Sequence, residues 1–149
     1  MKVVFREAVA ADVPAVVALL RDDSLGAVRE GEDLAAYLAA FDRMWAEHGN
    51  TLIVGELEGE VVATYQLTCI TGLSLRASRR GQVESVRVAA PLRSKGVGAL
   101  LMADAEARAR AAGCTLLQLT SNSTRAAALR FYERLGFAAS HTGFKKALD

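Results

Sequence analysis

The feature that most restricts how this chain can fold is a short turn between a strand and a helix. Valines at 83, 86 and 88 mark a strand over Gln82 to Ala89, Pro91 closes it, and Arg93-Ser94-Lys95-Gly96-Val97-Gly98 then opens an alanine-rich helical run. Glycine in a helix costs about 0.8–1.0 kcal/mol relative to alanine, so Gly96 and Gly98 weaken the helix they begin. A glycine-rich turn at a helix N-terminus offers unpaired backbone N–H groups at the positive end of the helix dipole, a site for phosphate oxygens. The spacing excludes two familiar phosphate loops, because neither G-x-x-x-x-G-K-[ST] nor G-x-G-x-x-G is present.

The flanking sequence alternates strand and helix signals. Val3 to Arg6 reads as a short strand, and Asp12 as N-cap with Pro14 as an early-turn proline starts a helix of about two turns carrying Val16, Val17, Leu19 and Leu20. Asp22 to Gly31 is polar and reads as a loop. Asp33 to Glu47 places Leu34, Tyr37, Leu38, Phe41, Met44 and Trp45 at helical spacing, which makes Tyr37, Phe41 and Trp45 mostly core. Thr51 to Leu57 and Val61 to Ile70 form a hairpin about Glu58-Gly59-Glu60. The irregular Thr71 to Gly81 precedes the valine strand, and a strand over Cys114 to Thr120, a helix over Thr124 to Leu135 and a strand over Phe137 to Lys146 complete the chain. The order β-α-α-β-β-β-α-β-α-β is a mixed α/β fold.

Composition narrows the function classes. With 149 residues and 52% hydrophobic content, the chain suits one domain over 1–149. Eighteen Lys and Arg against seventeen Asp and Glu leave a formal charge of +1, which argues against a nucleic acid or an acidic membrane surface as partner. Cys69 and Cys114 lie in separate apolar runs and read as buried free thiols, without the CxxC spacing of zinc or redox sites. No signal-peptide h-region and no window of about 20 apolar residues is present, so a soluble, cytoplasmic protein is expected. His48 and His141 lack partner spacing for metal or triad chemistry, and no metal site is expected.

The turn Arg93-Ser94-Lys95-Gly96-Val97-Gly98 resembles the R/Q-x-x-G-x-G/A pyrophosphate loop of the GNAT superfamily of acyl-CoA-dependent N-acyltransferases. Glu84-Ser85-Val86-Arg87-Val88 before it is similar to that family's central strand. Ala128-Leu129-Arg130-Phe131-Tyr132-Glu133-Arg134-Leu135-Gly136-Phe137 after it is similar to the family's fourth helix and the strand that follows. Three motifs in family order span about Gln82 to Phe137. The resemblance implies a GNAT-like fold and an N-acetyltransferase that moves an acetyl group from acetyl-CoA, as cosubstrate, to a primary amine of a small molecule or peptide. It implies direct attack in a ternary complex.

The resemblance also implies roles. Backbone groups of Val86, Arg87 and Val88 hold the pantetheine arm, leaving the valine side chains free to be core. Arg93, Ser94, Lys95, Gly96, Val97, Gly98 and Ala99 bind the pyrophosphate, although Arg93 and Lys95 also fit solvated loop cations. Tyr132 matches the general acid: a phenol with a pKa near about 10 keeps its proton at neutral pH and can pass it to the leaving thiolate. Its alternative is a core aromatic beside Phe131. Glu84 is the candidate base, since strict alternation puts Gln82, Glu84, Val86 and Val88 on one strand face. A bulge near Val86 would shift that alternation, and an ion pair with Arg87 or an arginine of 76–80 is the structural alternative for Glu84. Where the family often has Asn, seven residues before the tyrosine, this chain has Arg125, with Asn122 nearby; Arg125 can serve the 3′-phosphate or pyrophosphate. The acceptor pocket is expected to border Thr71 to Gly81 and Ser24 to Asp33. A non-catalytic acyl-CoA-binding or sensor module is the alternative function, and a homodimer is compatible with either.

Overall fold

In chain order the elements are β1 (Val4–Glu7), α1 (Val13–Arg21), α2 (Leu34–Ala46), β2 (Asn50–Leu57), β3 (Glu60–Thr71), β4 (Arg79–Val88), α3 (Val97–Ala111), β5 (Leu116–Leu119) and α4 (Ala126–Arg134). They come from a computed structural model that describes residues 2–22, 27, 30–31 and 33–149. The chain divides into two compact units, Met1–Gln118 and Leu119–Asp149.

Within the first unit local backbone chemistry sets several of the elements. Asp33 caps α2, its Oδ1 accepting from the N–H groups of Ala35 at 3.1 Å and Ala36 at 3.4 Å. Glu58 and Gly59 turn the β2–β3 hairpin in left-handed conformations, φ 53° and 83°, the geometry whose twist matches the flanking strands. Asp12 precedes α1 but caps nothing ahead of it. Its carboxylate takes two Arg6 hydrogen bonds, at 2.7 and 2.9 Å, and the Val9 N–H at 2.8 Å. The Arg6 guanidinium, aided by that N–H and opposed by burial, holds the Asp12 carboxyl below its ordinary value. Arg6 also pairs with Glu56, tying β1 to β2.

The five strands found among the described residues make one sheet in the order β1-β2-β3-β4-β5, antiparallel from β1 to β4. One face buries Val54 against Ala8, Val13 and Val16 and against Phe41 of α2. The other buries Tyr65, Leu67 and Val83, with Val97, Leu101, Met102, Ala105 and Ala109 on α3. α3 approaches closely at Gly81, where a Cβ would stand 3.2 Å from that of Ala109. Among the described residues no helix is long and apolar enough to cross a membrane.

Four expectations are corrected or fall outside the described residues. The strand predicted over Phe137 to Lys146 does not form: 137–149 carries no strand and is exposed beyond Phe137. A strand needs a ladder partner, and this segment has none among the described residues: Ser140 N–H turns back onto the Ala138 carbonyl at 2.9 Å, and Phe144 and Leu148 stay exposed. Trp45 is 65% exposed, because α2 turns Phe41 inward and leaves the tryptophan one turn later at its rim. Cys69 and Cys114 are half-buried rather than buried. Most of the loop predicted from Asp22 to Gly31 lies outside the described residues.

Candidate active site

The β3–β4 ladder is interrupted at one place. Gln66 pairs with Glu84 and Thr64 with Arg87, so Tyr65 alone stands against Ser85 and Val86. The additional β4 residue is a bulge, and Ser85 takes a left-handed φ of 56° to accommodate it. The bulge overturns strict alternation. Gln82 and Glu84 share the Thr68 and Gln66 face, whereas Val88, opposite Ala63, lies on the α3 face with Arg87 now in the row of Thr64.

Glu84 is exposed, and among the described residues its carboxylate has no ion-pair partner. Three of the arginines considered for it have partners elsewhere: Arg87 donates to the Val86 carbonyl at 2.9 Å, Arg79 to Thr71 and the Ala112 carbonyl, and Arg80 to Ser74. Ser85 lines a cavity of about 110 Å³ with Leu52, Thr64 and Gln66 from the sheet, Val16 and Leu20 from α1, and Phe41 and Met44 from α2. Its wall is mostly apolar. Thr64 donates to the Ile53 carbonyl at 2.8 Å and Gln66 to Asn50 at 2.8 Å.

Beyond β4 a single 3₁₀ turn, Ala90–Leu92, leads to the glycine loop. Ser94 and Gly96 are both left-handed, φ 63° and 86°, and Gly96 is the N-cap of α3 with no side chain capping the helix. The first amides of α3 are therefore presented outward beside an exposed Lys95. No atom outside the chain neighbours lies within 4 Å of a Cβ built on Gly96, so the space above it is open. Arg93 is a staple: its Nε donates to the Val88 carbonyl at 3.1 Å and its Nη2 to the Asp22 carbonyl at 2.8 Å, with the Asp22 carboxylate at 3.6 Å. Arg93, Ser94, Lys95, Gly96, Val97, Gly98 and Ala99 thus follow the bulge of Glu84 to Val88 within one unit.

Asn122, Arg125 and Tyr132 belong to the second unit and are described within it. Asn122 Oδ1 accepts from the Thr124 N–H at 3.0 Å and its hydroxyl at 2.6 Å, shaping the turn before α4, and Arg125 stands at the helix N-cap. Tyr132 is half-buried and meets Phe131 and Phe137 edge to face, at centroid distances of 5.1 and 5.9 Å.

Two features carry no distinct mark in the sequence pattern. Ser85 reads as an ordinary strand residue until the register exposes the bulge. Tyr65 is fully buried and donates to Asp104 on α3 at 2.6 Å, while Arg108 reaches the same carboxylate oxygen at 2.7 Å. Burial, and then Asp104, push the Tyr65 phenol upward, so it stays a donor. The one hint in the residues is an Asp-Arg pair at i,i+4 in an otherwise alanine-rich helix.

The profile of the acetyltransferase (GNAT) family matches residues 14–137. An aminoalkylphosphonate N-acetyltransferase of Salmonella typhimurium is 40% identical over 90 residues, which are 60% of this chain and 58% of that protein. A crystal structure from Bacillus halodurans, described as a transcriptional regulator, has a TM-score of 0.94 at 39% identity, covering 99% of this chain and all of that one. A structure from Agrobacterium tumefaciens, described provisionally as an acetyltransferase, has a TM-score of 0.87 at 27% identity, covering 97% and 99%.

Proposed function

Because the chain belongs to the acetyltransferase (GNAT) family, we propose that it moves the acetyl group of acetyl-CoA onto a primary amine, by direct attack in a ternary complex. The observation that carries this reading is the order of features within one unit: a bulged strand with an exposed carboxylate, then an uncapped, glycine-opened helix. The open space at Gly96 and the outward amides of α3 fit a diphosphate. Bound there, acetyl-CoA supplies an activated thioester.

The chain's own residues do the rest. Amides of Ser94 to Ala99 and the Lys95 ammonium bind the diphosphate, and Arg93 holds their loop against Val88. A backbone N–H at the Ser85–Val86 bulge binds and polarises the thioester carbonyl, while Arg87 and Val88 continue the strand edge for the pantetheine arm. Glu84, lacking an ion-pair partner among the described residues, takes the proton from the substrate ammonium directly or through water, and Tyr132 gives one to the departing thiolate. Arg125 and Asn122, at the start of α4, are assigned to the coenzyme's phosphates. The cavity beside Ser85 takes the apolar body of the acceptor, since its wall is mostly apolar and the Thr64 hydroxyl and the Gln66 Nε2 are already bonded.

The Salmonella relative puts aminoalkylphosphonates first among acceptors to try. A thiol-release screen with acetyl-CoA against aminoalkylphosphonates, amino acids, polyamines, aryl-alkylamines and peptides tests the reading. Acceptor-dependent release is expected; CoA binding without release for any amine would favour an acyl-CoA sensor.

A further inference from the structure

A coenzyme that touches both the β4 bulge and the α3 N-terminus meets the protein at two points, and binding is strongest when their separation matches the span of its extended arm. Apolar packing alone holds such a spacing loosely. α3 rests on the sheet through Val97, Leu101, Met102, Ala105 and Ala109, and burial of small and aliphatic side chains is non-directional, so a slight slide or roll of the helix changes it little. A hydrogen bond between groups anchored on two elements does not tolerate that slide.

One link of this kind ties the strand opposite the bulge to the body of α3. Tyr65 is the β3 residue that faces the bulge, between Thr64, which pairs with Arg87, and Gln66, which pairs with Glu84. Its hydroxyl donates at 2.6 Å to Asp104, seven residues beyond the first residue of α3. Arg108 donates to the same oxygen at 2.7 Å and to the Phe5 carbonyl of β1 at 3.2 Å. A phenylalanine would fill the same volume without burying a hydroxyl beside a partly buried ion pair, an arrangement that carries a desolvation cost. What the polar version adds is a fixed register between strand and helix.

We propose that Tyr65, Asp104 and Arg108 are positioning residues that set the spacing between the β4 bulge and the α3 N-terminus, so that both ends of acetyl-CoA bind at once. The proposal rests on the reading that the chain binds acetyl-CoA. None of the three touches the reacting atoms; they act through the strand and helix that do.

The test compares CoA with 3′-phosphoadenosine 5′-diphosphate, which carries the diphosphate end alone. Calorimetric affinities are measured for the wild type, for Tyr65→Phe, and for Met102→Ala, which loosens α3 without cutting the link. Tyr65→Phe should weaken CoA about tenfold and the fragment less than about twofold. Asp104→Asn, which keeps an acceptor for the Tyr65 hydroxyl, should fall between wild type and Tyr65→Phe. Met102→Ala should melt lower yet keep the wild-type ratio of the two affinities. An unaltered ratio in Tyr65→Phe, or the same change in Met102→Ala, overturns the positioning role alone. A wild-type protein that binds neither ligand overturns the function reading and this proposal together.

Discussion

Replacing Gly96 separates two things that its sequence context confounds, a backbone conformation and room for an anion. Gly96 sits at φ 86° and ψ −1°, where an L side chain costs about 1–2 kcal/mol. The space around a Cβ there is open for 4 Å, so no steric cost is added. Gly96→Ala should lower stability by about 1 kcal/mol, about 2–4 °C in melting temperature for a chain of this size. Gly96→Glu carries the same backbone cost, partly offset because a carboxylate at a helix N-terminus gains about 0.3–1 kcal/mol from the helix dipole. The glutamate variant should therefore melt about 1–4 °C above the alanine one. Their CoA affinities should not agree: two unit charges 4 Å apart repel by about 4 kcal/mol at an effective dielectric of about 20. A flexible glutamate can swing away from part of that repulsion, which leaves a loss of at least about 100-fold. Calorimetric titration with CoA beside melting curves measures both quantities. A folded Gly96→Glu protein with wild-type CoA affinity refutes the argument, and equal losses in the alanine and glutamate variants would assign the effect to strain.

Tyr132→Phe should keep CoA affinity and lower turnover by about 10²–10⁴-fold, the usual worth of general acid catalysis, in steady-state thiol release with chemistry rate-limiting. Glu84→Gln should slow acetyl transfer most near neutral pH, where an alkylamine with a pKa of about 10 is almost wholly protonated, and recover as pH rises; a kcat/KM profile of wild-type shape would remove Glu84 as base. Because the folded Asp12 carboxyl lies below its unfolded value of about 3.9, its contribution is complete above that value and is lost as pH falls through the folded one. Asp12→Asn should therefore cost about 1–2 kcal/mol at pH 7, toward the low end because the Arg6 side chain stays 36% exposed, and should converge on wild type in acid melts.

Elements whose formation depends on neighbours in sequence were legible from the residues alone. The Glu58-Gly59 turn and the glycine start of α3 follow from local backbone chemistry, and residue type marks each of them; the cap read at Asp12 does not form, because its carboxylate turns back to Arg6 and the Val9 N–H. The segment after Phe137 was not legible, because a strand is a property of a pair and its residues alone do not announce a missing partner. Trp45 failed for a related reason: helical spacing defines a stripe, and the width of the surface that covers it decides which edge of the stripe stays wet.

The site divides along the same line. Gly96 was recognisable because an uncapped helix start leaves a mark on residue type, and Glu84 because a carboxylate in a valine strand asks for a reason. The position of the bulge left no such mark, since Ser85 is an ordinary residue in β4, and only the register against Gln66 and Thr64 shows that two β4 residues oppose Tyr65. That one added residue changes the chemistry available. Without it, Glu84 and Val88 would share a face; with it, the carboxylate stays on the face of the Ser85 cavity while Val88 turns toward α3, and the regular β3–β4 pairing is broken at Ser85 and Val86. Strict alternation therefore fails at the one strand position where the proposed chemistry needs it to fail, and the residue that fills the opposite side, Tyr65, is the one fixed to the helix proposed to bind the coenzyme.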